Sequence, residues 1–209
     1  ERALLRGGLR MVLINAPPPN YTGGTRGFAA VAGDEARFAY DMRRAVRYAQ
    51  ALRVPMIHVM SGVAEGPAAR DVMIANLKTA TAQAPEGLTL LLEPLCPQAQ
   101  PGYFLNDYAL AVEIIEAVGA PNLRLQFDSF HAQMIHGDAV AVYAQYQDHI
   151  AHVQIGDAPG RGVPGSGTVD FIALFKALRG AGYDGWVSAE YTPDPSTEAG
   201  LGWMAYLSP

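Results

Sequence analysis

The chain has 209 residues, half of them apolar and 17% charged, with a net charge of −5 and one cysteine, Cys96. That length fits one domain spanning residues 1–209, and the composition supports a sizeable core and excludes a disordered chain. The acidic balance argues against nucleic-acid and anionic-membrane partners. No apolar run approaches the roughly 20 residues that span a bilayer, and one cysteine cannot form an internal disulfide, so a cytoplasmic protein is expected.

Residues 1 to 7 read as the end of a helix, stopped by Gly7-Gly8. Leu9 to Asn15 is a predicted strand, closed by the breaker Pro17-Pro18-Pro19, and residues 20 to 33 form a glycine-rich loop. Asp34 can cap a helix reaching Leu52, with Phe38, Met42, Val46 and Ala49 or Leu52 on one face. Val54 to Met60 is the next strand, followed by a helix near 67 to 84. Then comes Leu88-Thr89-Leu90-Leu91-Leu92-Glu93-Pro94, a near-continuous apolar run ending in a carboxylate. Such a run suits a parallel strand covered on both faces, and a buried acid at its end needs a partner.

A helix from Asp107 to Val118 stops at Gly119, and Leu123 to Asp128 is a strand ending in an acid. A polar, histidine-bearing segment leads to a helix around 138 to 147, and the strand Ile150 to Ile155 carries an amide, Gln154, at its end. The loop from Gly156 to Thr168 holds Arg161 and five glycines. Asp170 caps a helix to Arg179, Gly185 to Glu190 is a last strand ending in an acid, and a short amphipathic tail carries Trp203 and Leu207.

Strand and helix therefore alternate, which predicts a parallel sheet with right-handed crossovers. Neither GxGxxG nor GxxxxGK[ST] stands between a strand and a helix, so a dinucleotide or P-loop site is unsupported. The acid- or amide-bearing strand ends recur about every 32 residues, and eight such units need roughly 260 residues. The expected fold is an α/β TIM (β/α)₈ barrel whose first strand, first helix and second strand are missing from the N-terminus.

In a barrel, Glu93, Asp128, Gln154 and Glu190 would converge at the mouth formed by the C-terminal strand ends. Three carboxylates and an amide oxygen are hard ligands that suit Mg²⁺ or Mn²⁺ better than Zn²⁺. Carboxylates crowded without a cation would raise one another's pKa values. Two open coordination positions match the adjacent oxygens of a 2-hydroxy ketone or aldehyde. The fitting chemistry is proton abstraction next to a carbonyl through an enediolate, with Glu93 and Glu190 as acid and base.

Leu92-Glu93-Pro94-Leu95, Pro101-Gly102-Tyr103-Phe104-Leu105, Gln126-Phe127-Asp128-Ser129-Phe130-His131, His152-Val153-Gln154-Ile155, Pro159-Gly160-Arg161, Pro164-Gly165-Ser166-Gly167 and Gly185-Trp186-Val187-Ser188-Ala189-Glu190-Tyr191 occur in this order. With these pieces the chain resembles the hydroxypyruvate isomerase family, within the xylose isomerase-like TIM barrel superfamily. The resemblance implies interconversion of hydroxypyruvate and 2-hydroxy-3-oxopropanoate (tartronate semialdehyde). It implies metal ligation by Glu93, Asp128, Gln154 and Glu190, and substrate contacts from His131 and Arg161, with His58 at the same rim. Alternatives within the class are a 2-oxo-tetronate isomerase and a ketose 3-epimerase, although the latter typically carries His where Gln154 stands. Outside the class stands a barrel that binds metal or ligand without catalysis.

Plainer roles compete at several positions. Asp128 could cap the following segment, and His152, two residues before Gln154 on the same face, reads as a buried histidine. His136 and His149 read as surface residues, and Cys96 as a small packing residue. Arg161 suits a substrate carboxylate through a bidentate contact. Gly165-Ser166-Gly167 could cradle a phosphate, but nothing else in the chain asks for one. The Trp203 tail reads as a packing or homo-oligomer contact.

Overall fold

Alternation of apolar strands with amphipathic helices produces parallel strands, and the computed structural model describes them over residues 2–16 and 26–206. The expected breaker Pro17-Pro18-Pro19, the start of the following loop and Leu207 lie outside the described residues. The chain divides into two compact units, Glu1–Leu125 and Gln126–Pro209.

The first unit contains α1 (Arg2–Gly7), β1 (Leu13–Asn15), α2 (Glu35–Leu52), β2 (Met56–His58), α3 (Gly66–Gln83), β3 (Thr89–Leu92) and α4 (Tyr108–Val118). It also holds the first half of β4 (Leu123–Asp128). Neighbouring strands are consecutive in sequence and parallel, in the registers Asn15↔His58, His58↔Leu91 and Leu92↔Leu125. Leu90, Leu91 and Leu92 are all 0% exposed, so both faces of β3 are covered, as a continuous apolar run requires.

Helix α2 buries Phe38, Met42, Ala45 and Ala49, a stripe at helical spacing. Ala45 takes the place expected of Val46, which is half-buried. Asp34 is the N-cap residue but makes no side-chain cap bond, contrary to expectation; instead the Glu35 carboxylate accepts from the Gly33 amide at 3.1 Å. The Pro101–Leu105 segment is locked beneath the loop after β2. The Ser61 amide donates to the Tyr103 hydroxyl at 2.9 Å, and the Leu105 amide donates to Ser61 Oγ at 3.2 Å. Burial pushes the Tyr103 phenol up to about 12. Gly27, at φ 88°, lies where a Cβ would come 2.1 Å from the Met60 carbonyl oxygen, so only glycine permits that approach.

The second unit holds the end of β4, then α5 (Ser129–His136), α6 (Ala139–Tyr146), a 3₁₀ turn (Gln147–His149), β5 (Ile150–Ile155), α7 (Phe171–Gly180), β6 (Val187–Ala189) and a 3₁₀ segment (Ala199–Tyr206). Strands β5 and β6 pair in parallel, with Gln154 opposite Ser188. The polar, histidine-bearing segment after Asp128 is helix α5, so the capping role open to Asp128 in the sequence is realised. Asp128 accepts the Phe130 amide at 2.8 Å as its cap, and Gly137 ends it at φ 79°. Asp170 caps α7 as expected, accepting from the Ala173 amide at 2.9 Å.

The tail packs within this unit. Trp203 is 6% exposed, stacks on Phe175 with centroids 6.1 Å apart, and donates its indole N–H to Tyr191 Oη at 2.8 Å. Removing a buried aromatic of this kind typically costs about 3–5 kcal/mol. Trp203→Ala is therefore expected to lower stability by that order in urea titrations, and a loss below about 1 kcal/mol would show that the tail docks only weakly.

Candidate active site

The end of each strand delivers one polar side chain, as the apolar-then-acid pattern predicts. In the first unit, His58 closes β2 and Glu93 follows β3 directly; they are 2% and 4% exposed. His58 Nδ1 lies 3.5 Å from Glu93 Oε2 and 3.3 Å from Asn15 Oδ1. The parallel register sets Asn15 beside His58, so two adjacent strand ends bring these groups together. The Leu88–Leu92 run thus ends in a buried carboxylate with an imidazole against it.

In the second unit, four expected residues converge. Asp128 closes β4 and is 0% exposed. Glu190 follows β6, with its side chain 44% exposed. Arg161 reaches both from the loop after β5: its Nη2 lies 2.7 Å from Asp128 Oδ2 and 2.8 Å from Glu190 Oε1. Its Nε also donates to the Glu190 carbonyl at 3.1 Å. Arg161 Nη1 stands 3.4 Å from His131 Nε2, a bond that requires this nitrogen to be unprotonated. His131 is buried on the first turn of α5, and the guanidinium lies over the Phe130 ring at 5.0 Å from its centroid.

Electrostatics follow from this crowding. Burial pushes the Asp128 carboxyl up, and the Glu190 charge adds to that, while Arg161 and the backbone amides of Phe130 and His131 pull it down. Two carboxylates, one fully buried and one partly exposed, thus meet at one cationic nitrogen. Such a pair favours cations strongly.

Among the described residues, no hydrogen bond joins Gln154 to that cluster. It lies one residue before the end of β5, and its Oε1 accepts from Gln126 Nε2 at 2.6 Å. Gln126 was not singled out from sequence, although its spacing of two from Asp128 puts both on one strand face. His152 is buried as expected, and burial lowers its pKa to about 4, so the ring stays neutral near pH 7. His136 is exposed and His149 half-buried. Cys96 is 0% exposed, in keeping with a packing role.

Two further residues hold the cluster and carry no obvious label in the sequence. Ser129 Oγ donates to the Gly156 carbonyl at 2.9 Å and accepts the Gly156 amide at 3.1 Å, which ties the start of α5 to the end of β5. Asp157 is 1% exposed and fills the concavity that the Gly165-Ser166-Gly167 loop makes. The backbone amides that could have cradled a phosphate bind this carboxylate instead, the Gly165 and Gly167 N–H both at 2.8 Å from Oδ2.

The geometry defines a class of protein before it defines a substrate. The chain belongs to the xylose isomerase-like TIM barrel family, whose profile it matches over residues 2–207. It is 39% identical over 202 residues to the 2-oxo-tetronate isomerase of Cupriavidus necator, covering 94% of this chain and 78% of that protein. It is 34% identical over 209 residues to the hydroxypyruvate isomerase of Escherichia coli K12, covering 98% of this chain and 81% of that one. A solved structure described as an AP endonuclease, family 2, from Brucella melitensis superposes with TM-score 0.93 at 38% identity, covering 98% of this chain and 81% of that chain. The curated relatives are isomerases by name, and among the described residues no helix is long and apolar enough to cross a membrane.

Proposed function

We propose that this chain is a divalent-metal-dependent isomerase of small 2-hydroxy-oxo acids, converting hydroxypyruvate and 2-hydroxy-3-oxopropanoate into one another. The observation that carries the reading is the convergence of the Asp128 and Glu190 carboxylates on one cationic nitrogen at strand ends, in a chain whose curated relatives are named isomerases. The family match crosses the boundary between the two compact units without a break, which supports one barrel domain.

The donor set fits a hard divalent ion. Asp128 Oδ2 and Glu190 Oε1 share one cationic partner, Arg161 Nη2, and carboxylate and amide oxygens are the ligands Mg²⁺ and Mn²⁺ prefer. Glu93, Asp128, Gln154 and Glu190 would hold it. Bound there, the ion would supply positive charge that offsets the negative charge developing on substrate oxygen.

Every other step falls to the chain's own side chains. Of Glu93 and Glu190, one removes a proton from C3 of hydroxypyruvate and the other delivers one to C2, while the hydroxyl proton passes from O3 to O2. His58, at 3.5 Å from Glu93, steadies that carboxylate and sets its readiness to accept the proton. His131 contacts substrate oxygen, and Arg161 takes the substrate carboxylate through its paired N–H groups.

The test is turnover of hydroxypyruvate with Mn²⁺ present, compared between the unmodified chain and Arg161→Ala. Removing the guanidinium is expected to raise KM about 10- to 100-fold, the scale of a lost charge-assisted contact. An unchanged KM would remove Arg161 from substrate binding. The C. necator relative favours 2-oxo-tetronate as the competing substrate, so the two kcat/KM values rank the acids directly. Nuclease action is suggested only by the name of the Brucella structure, and a net charge of −5 works against a phosphate backbone.

A further inference from the structure

We propose that Asp157 is a positioning residue that presets Arg161 for an anionic substrate group; this rests on the isomerase reading of Arg161 given above. The carboxylate is 1% exposed and collects four backbone amides. Oδ1 accepts from Ala158 N at 2.9 Å and Val169 N at 3.0 Å, and Oδ2 from Gly165 N and Gly167 N at 2.8 Å each. Both ends and the far side of the loop over residues 158–169 are therefore gathered on one side chain. Hydrogen bonds to an ionised acceptor are roughly twice as strong as neutral ones, and here water cannot compete for them.

The same residue clamps the tip through its backbone. The Asp157 amide donates to the Gly162 carbonyl at 2.9 Å, and the Gly162 amide donates back to the Asp157 carbonyl at 3.2 Å. Between these bonds stands Arg161, at φ 50° in the left-handed region that residues with a Cβ avoid. A strained backbone of this kind persists only when its surroundings dictate it. The turn that Asp157 closes sends the Arg161 side chain to Asp128, Glu190 and His131.

The loop's glycines serve this carboxylate. A Cβ at Gly167 would lie 2.0 Å from the Ala158 carbonyl oxygen and 2.7 Å from Asp157 Oδ1. A Cβ at Gly162 would lie 2.6 Å from Ser166 Oγ. The glycine-rich stretch that reads as an anion cradle is one, and its anion is built into the chain. Arg161 is the side chain this loop sends to the cluster of Asp128, Glu190 and His131, and its aim depends on that internal anion.

The test is a double-mutant cycle on hydroxypyruvate kinetics with Asp157→Asn, Arg161→Ala and the pair. Asparagine presents an NH₂ where two backbone amides also donate, so the loop opens while the packing volume is kept. Asp157→Asn is expected to raise KM about tenfold or more, with kcat changed less. In the Arg161→Ala background it should change KM less than twofold, because the group it positions is gone. An additive KM effect in that background would overturn the proposal and leave Asp157 a structural residue. An Arg161→Ala enzyme with normal KM would instead sink the substrate reading, an outcome distinct from failure of the positioning role.

Should Asp157→Asn fail to fold, Asp157→Glu keeps the charge, displaces the loop tip by one methylene and enters the same cycle. Hydrogen exchange on the unmodified chain gives a readout independent of activity. The Gly165, Gly167 and Val169 amides must exchange far more slowly than free-loop amides, and exchange at free-loop rates overturns the proposal.

Discussion

A Glu190→Gln enzyme is expected to turn hydroxypyruvate over about 10²- to 10⁴-fold more slowly than the unmodified chain while remaining folded. The expectation follows from how Glu190 is held. Its amide donates to the Ile155 carbonyl at 2.9 Å, and its carbonyl accepts from Arg161 Nε, so backbone contacts that glutamine keeps fix the main chain. Its carboxylate is the exposed part, 44% open where Asp128 is closed. A partly exposed carboxylate suits a proton carrier, whereas the fully buried Asp128 suits a fixed ligand. Glutamine preserves size and one acceptor oxygen but cannot carry the proton. Manganese binding followed by paramagnetic resonance separates the two jobs. Retained metal with lost turnover supports the proton role, and retained metal with full rate removes it.

Chelation is expected to abolish turnover outright, and added Mn²⁺ or Mg²⁺ to restore it. The physical cause is the cost of holding a second carboxylate beside Asp128, which is fully buried. Burial and Glu190 both disfavour the charged form of Asp128, and a divalent cation reverses both effects at once. The same linkage predicts a stability signature without any activity assay. Metal at about 100 times its dissociation constant stabilises the folded chain by about 2.7 kcal/mol. An Asp128→Asn variant should lose most of that gain in thermal melts. Turnover that survives chelation, or a melting temperature indifferent to Mn²⁺, would remove the metal from the reaction.

The strands were legible because each is an apolar run with a breaker after it, and the polar residue at its end stands out against that run. Glu93, Asp128 and Glu190 were found this way, and each lies at or directly after a strand. Helix α5 is bounded by Asp128 as N-cap and Gly137 as a left-handed stop, and the first of these is a role the sequence leaves open for Asp128. Cap and site compete for this acid in the sequence, and the structure gives each an oxygen: Oδ1 accepts from the Phe130 amide and Oδ2 from Arg161. Asp34 went the other way: a residue type that favours capping stands at the right place but makes no side-chain cap bond.

What the sequence determined by itself was the alternation of strand and helix, the buried character of β3 and the identity of the acids that end the strands, since periodicity and burial cost are local properties. Tertiary structure alone decided which side chains meet. Arg161 and Asp128 are 33 residues apart in sequence and 2.7 Å apart in space. Nothing in local propensity encodes that approach, because it depends on how the Asp157 carboxylate folds the loop. The glycine-rich stretch Gly165-Ser166-Gly167 could not reveal that its anion comes from within, since the four amides gather on Asp157 only once the loop has closed.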